Sequence, residues 1–523
     1  MQKFLFFVLF TITFPIFSQT EDAWIFFTDK PQATSFLNNP LSMLSQRALD
    51  RRSRHNIPLD ITDVPIDNNY LNQIKSATGI IYMAKSKWMN AVHVQGAQSN
   101  IENLLNLSFV DHIEFANKNL GTITQPFIVK TPLANAPNKR NNYDYGFGYN
   151  QIHQLNGEIM HQQGLTGQSV LLAVIDAGFS EVNTAGIFQP LFQNNKIIDV
   201  YNFVSHDNNI YQFSMHGSGV LSTIAAQSNG ELVGTAPDVK VALYVSEDVS
   251  QEMPIEESYW AEAAERADSL GVDIINTSLG YQTYDRSDYS YTMADLDGHT
   301  SFISRAANIA ATRGIVVVVS AGNSGGTSWF KIGMPGDAQN VITVGAVDNN
   351  GVKTDFSSIG PTADGRIKPD VMALGSNVSA YWFGSIQGVN GTSFSAPITA
   401  GMIACMIQAY PDKKPDEIKQ DLISISDRFF NPDNQYGYGI PNFSLYDVSR
   451  IDKLAGNDNL LIYPIPASGY IKINKDIIYQ IFTPEGKYIS GGQSAQKNID
   501  ISYLSAGIYY LSTSDKIYKI IVK

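Results

Sequence analysis

Residues Leu171–Asp176 read LLAVID, and this stretch decides the fold. Five apolar residues in an unbroken run predict a short strand that is buried on both faces, as in a parallel sheet covered by helices. A second run of the same kind, IVVVV at residues 315–319, lies further along the chain. We therefore expect an α/β fold with a doubly wound parallel sheet flanked by helices.

Four polar residues stand where these strands and two helical patterns meet loops. Asp176 ends the first strand, and Asn323 follows the second. His216 opens a helical pattern, and Ser393 lies in the small-residue run GTSFSAP before an apolar helix. Each residue alone has an ordinary explanation as a turn former, a helix-terminal residue or a cap. All four together at the ends of strands and helices indicate a reaction centre.

The chemistry of acyl transfer explains why these residue types belong together. A serine hydroxyl is a poor nucleophile at neutral pH, so His216 must take its proton and later return it to the leaving amine. Asp176 would fix the imidazole tautomer and stabilise the imidazolium. The Asn323 amide and the Ser393 backbone N–H, at a helix N-terminus, are the candidates to stabilise the oxyanion.

In this order, the four residues resemble the catalytic quartet of the subtilisin-like serine peptidases, and the similarity extends over residues 150–445. Two departures from the family pattern are Ala177, in place of a hydroxyl residue, and Gly219, in place of a second histidine. Neither removes a reacting group. The blocks that carry the resemblance are DAG (176–178), HGS (216–218), AGN (321–323) and GTSFSAP (391–397).

The resemblance implies a secreted serine endopeptidase that acts through an acyl-enzyme, with Asp176, His216 and Ser393 as the triad and Asn323 in the oxyanion hole. The alternative is a surface binding or adhesion protein with a vestigial peptidase domain, although the intact quartet weighs against it. An esterase is disfavoured because Ser393 is not in a Gly-x-Ser-x-Gly elbow. The nearby pair His206–Asp207 lies in a polar stretch and is expected to be loop.

The resemblance also implies where a substrate lies. A glycine at the floor of the primary specificity pocket, Gly333, predicts room for a large P1 side chain, the residue before the scissile bond. Tyr281 stands where the family commonly has glycine and predicts a narrower groove beside the pocket. The two pocket walls, which would pair with an extended peptide, are Ser278-Leu279-Gly280 and Ser320-Ala321-Gly322.

Composition limits the possible partners. The chain has 523 residues, 44% hydrophobic and 16% charged, with a net charge of −13, so several domains with large cores are expected and nucleic acid is disfavoured. We expect a monomer that acts on proteins or peptides. The single cysteine, Cys405, lies in an apolar helical pattern and is expected to be a buried structural thiol.

The chain divides into segments of different character. Residues 1–19, with Lys3 before an apolar stretch, predict a secretory signal peptide. Residues 20–118 have the pattern of a small α+β unit and resemble the propeptide of many subtilisin relatives, with a permanent accessory domain as the alternative. Residues 119–149 are linker-like and form the expected processing region, and residues 150–452 form the expected catalytic domain.

Residues 453–523 consist of short alternating segments separated by turns, which predict a small β-sandwich. The blocks YPIPA (463–467), PEGK (484–487) and LSAGIY (504–509) resemble the C-terminal sorting domain of proteins exported by the type IX secretion system. A carbohydrate-binding or generic β module is the alternative. The resemblance implies the type IX machinery as a partner and the exterior or cell surface of a Gram-negative bacterium as the location.

The expected chemistry requires no cofactor, and we predict no metal in the reaction centre. A cluster of acidic side chains offers the hard oxygen ligands that Ca²⁺ prefers, but it lacks the closing glutamate of a twelve-residue calcium loop. A solvated acidic loop is therefore the favoured interpretation, with a structural calcium ion as the alternative. The residues concerned are Asp285, Asp288, Asp295 and Asp297.

Overall fold

A computed structural model describes residues 20–120, 143–446 and 462–523, apart from residues 474–476, 485–486, 495–496 and 514–516. The predicted signal peptide and most of the predicted linker lie outside the described residues. Within these ranges, the helices are too short or too polar to cross a membrane.

The N-terminal unit is a four-stranded antiparallel sheet in the order β2-β3-β1-β4, covered by helices on one face. This confirms the expected α+β class. The short helix Gln98–Glu102 passes directly into a 3-10 turn at Asn103–Asn106. The elements are β1 Thr20–Phe27, α1 Ala33–Leu37, α2 Gln46–Arg54, α3 Asn68–Lys75, β2 Ile80–Ser86, β3 Ala91–Ala97, α4 Gln98–Glu102 and β4 Val110–Phe115.

The central unit contains a seven-stranded sheet in the order β13-β12-β11-β10-β5-β9-β6, with parallel pairing throughout. Its helices are α5 Tyr149–His153, α6 Glu158–Gln162, α7 Gln189–Gln193, α8 His216–Ala225, α9 Ile255–Leu270, α10 Phe302–Thr312, α11 Thr392–Ala409 and α12 Pro415–Ser424. Its strands are β5 Leu171–Asp176, β6 Ile197–Asn202, β7 Gln227–Ser228, β8 Leu232–Val233, β9 Lys240–Val245, β10 Ile274–Thr277, β11 Val316–Ser320, β12 Ile342–Val347, β13 Val371–Leu374, β14 Val378–Trp382 and β15 Ser385–Val389.

Strand β5 shows why its sequence has no polar positions before Asp176. Leu172 and Val174 pack into the core that contains α8 and α11. Leu171, Ala173 and Ile175 point the other way, into the core that contains α9 and α10. Side chains alternate between the faces of a strand, so a strand with a helical layer on each side needs apolar residues at every position. The predicted doubly wound parallel sheet is confirmed.

The N-terminal unit packs on the helical layer formed by α9 and α10. Glu265 of α9 accepts hydrogen bonds from Ser86 Oγ at 2.6 Å and from the backbone N–H of Trp88 at 3.0 Å. Arg51 and Arg52 of α2 both pair with Asp268 at the end of α9, and these three side chains are at most 2% exposed. Burying charges is costly unless they are paired, so this interface strongly favours a single docking geometry.

The C-terminal unit has seven strands in the order β19-β18-β21-β22-β16-β17-β20. Strand β16 pairs antiparallel with β17 and parallel with β22, and the apolar side chains of the two parts meet in one small core. The β-sandwich expectation is confirmed, with two more strands, β19 and β20, than the predicted segments. The elements are β16 Ile462–Ser468, β17 Tyr470–Ile473, β18 Ile478–Phe482, β19 Tyr488–Gln493, β20 Asn498–Asp500, β21 Gly507–Ser512 and β22 Ile517–Val522.

Candidate active site

Three neighbouring strands of the parallel sheet carry polar residues at their carboxyl ends. Asp176 is the last residue of β5, Ser278 follows β10, and Asn323 lies three residues beyond β11. Because β5, β10 and β11 are adjacent, these residues share one edge of the sheet. The helices that begin with His216 and with Thr392-Ser393 start at the same edge, where α/β folds place their ligand sites.

Asp176 and His216 form a close pair. Asp176 is fully buried, and its Oδ1 lies 2.7 Å from His216 Nδ1 and accepts a second hydrogen bond, at 2.7 Å, from the Ala177 N–H. Burial by itself lowers the pKa of His216, but the Asp176 carboxylate outweighs it and holds that pKa above the ordinary value. The imidazole is 28% exposed, so its Nε2 side can serve as a proton acceptor.

Ser393 occupies the first turn of α11, where Gly391 has a φ of 146° that favours glycine. The Ser393 hydroxyl lies 3.4 Å from the Ser278 carbonyl and makes no hydrogen bond to His216 in this structure. Catalytic hydrogen bonds are often long or misaligned without substrate, so this geometry is compatible with a nucleophile that reorients on binding.

The Ser393 carbonyl has an unusual partner. In a regular helix it would accept from the N–H four residues later, but that residue is Pro397, which has none. The hydroxyl of Ser278 instead donates to the Ser393 carbonyl at 2.8 Å. The segment that follows β10 is thereby hydrogen-bonded directly to the first turn of α11.

Asn323 is held by its side-chain oxygen. The backbone N–H of Thr392 donates to Asn323 Oδ1 at 2.9 Å, and the Thr392 hydroxyl approaches the same atom at 3.0 Å. A backbone N–H can only donate, so the amide oxygen must face Thr392. The amide nitrogen consequently points away from Thr392, beside Gly391, as an oxyanion donor requires.

The predicted pocket residues lie on segments that contact one another. Tyr281 and Met334 exchange backbone hydrogen bonds of 2.9 and 3.0 Å, which brings the loop containing Gly333 against the segment after β10. A Cβ atom on Gly333 would lie 3.6 Å from Gly280 Cα and 3.7 Å from Gln282 Oε1. Gly333 therefore lies against the segment 280–282, with the Gln282 side-chain oxygen beside it. The residues that the structure groups here are Ser278, Leu279, Gly280, Ser320, Ala321, Gly322 and Gly333.

Gln282 contacts the predicted pocket segments, although sequence reasoning did not single it out. Its Nε2 donates to Ser324 Oγ at 3.0 Å, so the side chain bridges the segments that follow β10 and β11. Its oxygen is the atom that faces Gly333. The run Tyr281-Gln282 gave no signal for this position, because the bridge depends on how a later loop folds back.

The expectation that Tyr281 narrows the substrate groove is wrong. Its ring is only 1% exposed and packs in the core with α9, and its hydroxyl donates to Glu247 Oε1 at 2.6 Å. Burial raises the pKa of Glu247 to about 7. Tyr281 is therefore a core residue bound to Glu247 rather than part of the groove surface.

Packing around α8 explains why residue 219 is glycine, where the family pattern has a second histidine. A Cβ at this position of α8 would lie 3.0 Å from Trp382 Cε3 and 3.3 Å from Phe394 Cε1. The indole of Trp382, at the end of β14, therefore occupies the space that a side chain at position 219 would need. Trp382 was not among the predicted site residues, because the short β14–β15 hairpin carries no motif.

The acidic residues considered for calcium make hydrogen bonds within their own surroundings. Asp295 accepts from the Thr292 N–H at 2.7 Å, and Asp297 accepts from the His299 N–H at 2.8 Å. Asp288 pairs with Arg286 at 2.6 Å, and Asp285 accepts from a backbone N–H at 3.1 Å. No cluster of three potential metal-binding side chains occurs among the residues with described positions. Each of the four carboxylates is therefore engaged by a backbone N–H or by Arg286.

The remaining sequence expectations concern the pair His206–Asp207 and the single cysteine. His206 and Asp207 lie in a turn, where the Asp207 carboxylate accepts hydrogen bonds from the Asn209 N–H at 2.8 Å and from the Ser205 hydroxyl at 2.9 Å. Cys405 is fully buried in α11, and burial raises the pKa of its thiol. A buried structural thiol is the role that these surroundings support.

Comparison with known proteins finds related chains. The sequence profile of the Subtilase family matches residues 167–439. Serine protease AprX of Bacillus subtilis is 32% identical over 316 residues, which cover 54% of this chain and 67% of that protein. Subtilisin DY of Bacillus licheniformis is 30% identical over 298 residues, covering 56% and 95% of the two chains. A protease structure from Pseudoalteromonas arctica, 23% identical, superimposes with a TM-score of 0.45 over 60% of this chain and 99% of that one.

The chain belongs to the subtilase family and is a serine endopeptidase. Two further matches identify the flanking units. Residues 22–130 match the Peptidase S8 propeptide domain of Bacteroidota, and residues 461–523 match the secretion system C-terminal sorting domain. The protein is therefore a secreted or cell-surface protein of Bacteroidota, with protein substrates and the type IX secretion machinery as partners.

Proposed function

We propose that this endopeptidase cleaves peptide bonds with Ser393 as nucleophile, His216 as general base and acid, and Asp176 as the residue that orients the imidazole. The observation that carries the proposal is the 2.7 Å contact between Asp176 Oδ1 and His216 Nδ1. It leaves Nε2 for the hydroxyl of a serine at the start of the neighbouring helix.

The reaction proceeds in two halves. His216 Nε2 takes the Ser393 proton as the oxygen attacks the scissile carbonyl, and the resulting imidazolium returns that proton to the leaving amine. The first product departs and leaves an acyl-enzyme, which water then attacks with the same base. In both halves, the Asn323 amide nitrogen and the Ser393 N–H donate to the oxyanion.

The segment boundaries form part of the proposal. Residues 20–118 are a propeptide that is removed by cleavage within residues 119–149, which leaves residues 150–452 as the mature catalytic domain. Residues 453–523 address the chain to the type IX machinery and so to secretion. The docking of Arg51 and Arg52 against Asp268 supports a unit that holds the catalytic domain before cleavage.

The test compares Ser393→Ala with Ser395→Ala on a casein-like substrate. Ser395 lies in the same turn of α11, and its hydroxyl donates only to the Thr392 carbonyl, at 3.1 Å. We expect Ser393→Ala to lose hydrolysis while its circular dichroism spectrum is unchanged, and Ser395→Ala to keep activity. Undiminished cleavage by Ser393→Ala would overturn the mechanism, and an unmodified chain that cleaves nothing would favour the adhesion alternative.

A further inference from the structure

A cleft of about 390 Å³ opens beside the catalytic histidine. The cleft, which we call the aromatic cleft, is lined by His216, Phe213, Trp382, Phe383 and Glu181, together with Ser180, Ser214 and Met215. Phe213 is 55% exposed and Phe383 is 69% exposed. Large apolar side chains at a cleft beside reacting groups leave apolar surface available for a ligand.

The backbone of this cleft is strained where it presents those side chains. Twelve residues other than glycine have a positive φ in the described chain, and three of them, Glu181 (66°), Phe213 (75°) and Phe383 (44°), line the cleft. Phenylalanine is unfavourable in the left-handed region, where asparagine and glycine are the usual residues. Strain of this kind, concentrated at one cleft, is typical of functional sites.

The β14–β15 turn makes the same point. Trp382 pairs with Ser385, so Phe383 and Gly384 are the two central residues of the hairpin, with φ of 44° and 81°. Two positive values fit a type I′ turn, which prefers Asn-Gly. The chain carries Phe-Gly instead, and the phenylalanine ring extends into solvent at the rim of the cleft.

The aromatic cleft is built from other elements than the specificity pocket. Its walls come from the loop before α8 and from a hairpin that packs on α8, whereas the pocket follows β10 and β11. The N-terminal unit packs on α9 and α10 and so lies on the other face of the sheet. The residue before the scissile bond occupies the pocket, and the chain after the bond passes His216, which must reach the leaving amine.

We propose that the aromatic cleft is the subsite for the leaving-group side of the substrate and selects a large apolar or aromatic side chain within the first two residues after the scissile bond. The inference rests on the proposed function, since it assigns the acyl side to the pocket. Trp382 gives the cleft a fixed floor, because its indole is wedged against α8 at Gly219. Phe213 and Phe383 cover the bound side chain from two sides.

Glu181 also makes the cleft selective against acidic side chains of the substrate. Its Oε2 accepts from the Tyr381 hydroxyl at 2.6 Å, which fixes the carboxylate at the cleft wall. An acidic substrate side chain would meet this carboxylate in a partly desolvated place, where like charges repel strongly. The cleft therefore favours aromatic residues and rejects aspartate and glutamate.

The experiment uses fluorescence-quenched peptides that are identical before the scissile bond and carry Phe, Gly or Asp at the first or second position after it. For the purified active chain, we expect kcat/KM to favour Phe over Gly by about tenfold, as partial burial of an aromatic ring allows, and to be lowest for Asp. The double variant Phe213→Asn/Phe383→Asn should reduce the Phe-to-Gly ratio to about twofold or less, because it removes both covering rings. Asparagine tolerates positive φ, so both loops keep their conformation.

Two further variants complete the test. Phe147→Asn removes an equally exposed ring outside the cleft and should keep the Phe-to-Gly ratio. Glu181→Gln should raise kcat/KM for the Asp peptide relative to the Gly peptide. An active chain without aromatic preference, or with a preference that survives the double variant or falls equally in Phe147→Asn, would overturn the subsite alone. A chain that cleaves no peptide would overturn the proposed function and the subsite with it.

Discussion

Thr392 holds the Asn323 side chain by its oxygen, with contacts of 2.9 Å from the backbone N–H and 3.0 Å from the hydroxyl. Thr392 directly precedes Ser393, so in the proposed mechanism the residue that positions the Asn323 amide is covalently attached to the residue that supplies the second oxyanion donor. Both proposed donors are therefore held at the start of α11. Such preorganisation lowers the reorganisation needed in the transition state.

Asn323→Ala should lower kcat by about 10²- to 10³-fold with little change in KM, because the amide acts on charge that develops in the transition state. Thr392→Val should lower kcat in the same way but less, since the backbone N–H still holds the amide. Thr399→Val, which removes a buried hydroxyl further along α11, is the control. A rise in KM at constant kcat for Asn323→Ala would make Asn323 a substrate-binding residue.

Activity should depend on pH through His216. The imidazole must be neutral to accept the Ser393 proton, and its pKa is raised above 6.5 by Asp176, so kcat/KM should rise with pH through a midpoint above that value. Asp176→Asn removes the negative charge that raises the pKa of His216 and the hydrogen bond that selects the tautomer of its imidazole. We expect the midpoint to fall and kcat to drop by about 10⁴-fold. An unchanged midpoint in this variant would show that another group controls the loss of kcat/KM at low pH.

Gln282 should restrict the size of the P1 side chain that the predicted pocket accepts. Gln282→Ala opens the end of the pocket beside Gly333, so kcat/KM for peptides with a large aromatic P1 side chain should rise by about tenfold relative to small ones. Ser324→Ala frees the Gln282 amide without removing it and should give a smaller change in the same direction. Profiles of P1 preference measured with a peptide library would contradict the assignment if both variants matched the unmodified chain.

The N-terminal unit should be removed by the enzyme itself. In Ser393→Ala, mass spectrometry of the product should show a retained N-terminal unit, because the polar segment before the catalytic domain is no longer cut. Ser395→Ala should be trimmed normally. A trimmed N-terminus in Ser393→Ala would mean that a different peptidase does the processing.

A chain ending at Asp452 should keep peptidase activity but remain in the periplasm of its host. The C-terminal unit has its own apolar core, so its removal should expose little of the catalytic domain. Specific activity and cell fractionation are the two measurements. Normal export of the truncated chain would contradict the sorting role, and loss of activity after purification would make the unit structurally integral.

Much of the catalytic unit could be predicted from short patterns. Leu171–Asp176 and residues 315–319 have no polar interruptions, and only a strand between two helical layers requires this. The four site residues stand at the ends of such patterns, so a parallel sheet brings them to one edge without further information. The Asp176–His216 contact follows from strand and helix positions that local sequence already indicates.

Other features depend on contacts between distant segments and left no local signal. Gln282 becomes a pocket residue because it reaches Ser324, 42 positions later. The indole of Trp382, more than 160 residues later in the chain, fills the space beside Gly219. Tyr281 stands where the family commonly has glycine, which predicts a ring in the groove, but its hydroxyl donates to a core carboxylate, Glu247, and the ring is buried. Tertiary hydrogen bonds decide the positions of Gln282 and Tyr281, and tertiary packing decides that of Trp382.

Pro397 would ordinarily count as a defect in a helix, yet its missing N–H is what leaves the Ser393 carbonyl free for Ser278. In the proposed mechanism, the Ser278 hydroxyl thus couples one wall of the substrate pocket to the residue that attacks the scissile carbonyl. A peptide that displaces residues 278–280 should therefore lower kcat as well as raise KM, because it also displaces Ser393.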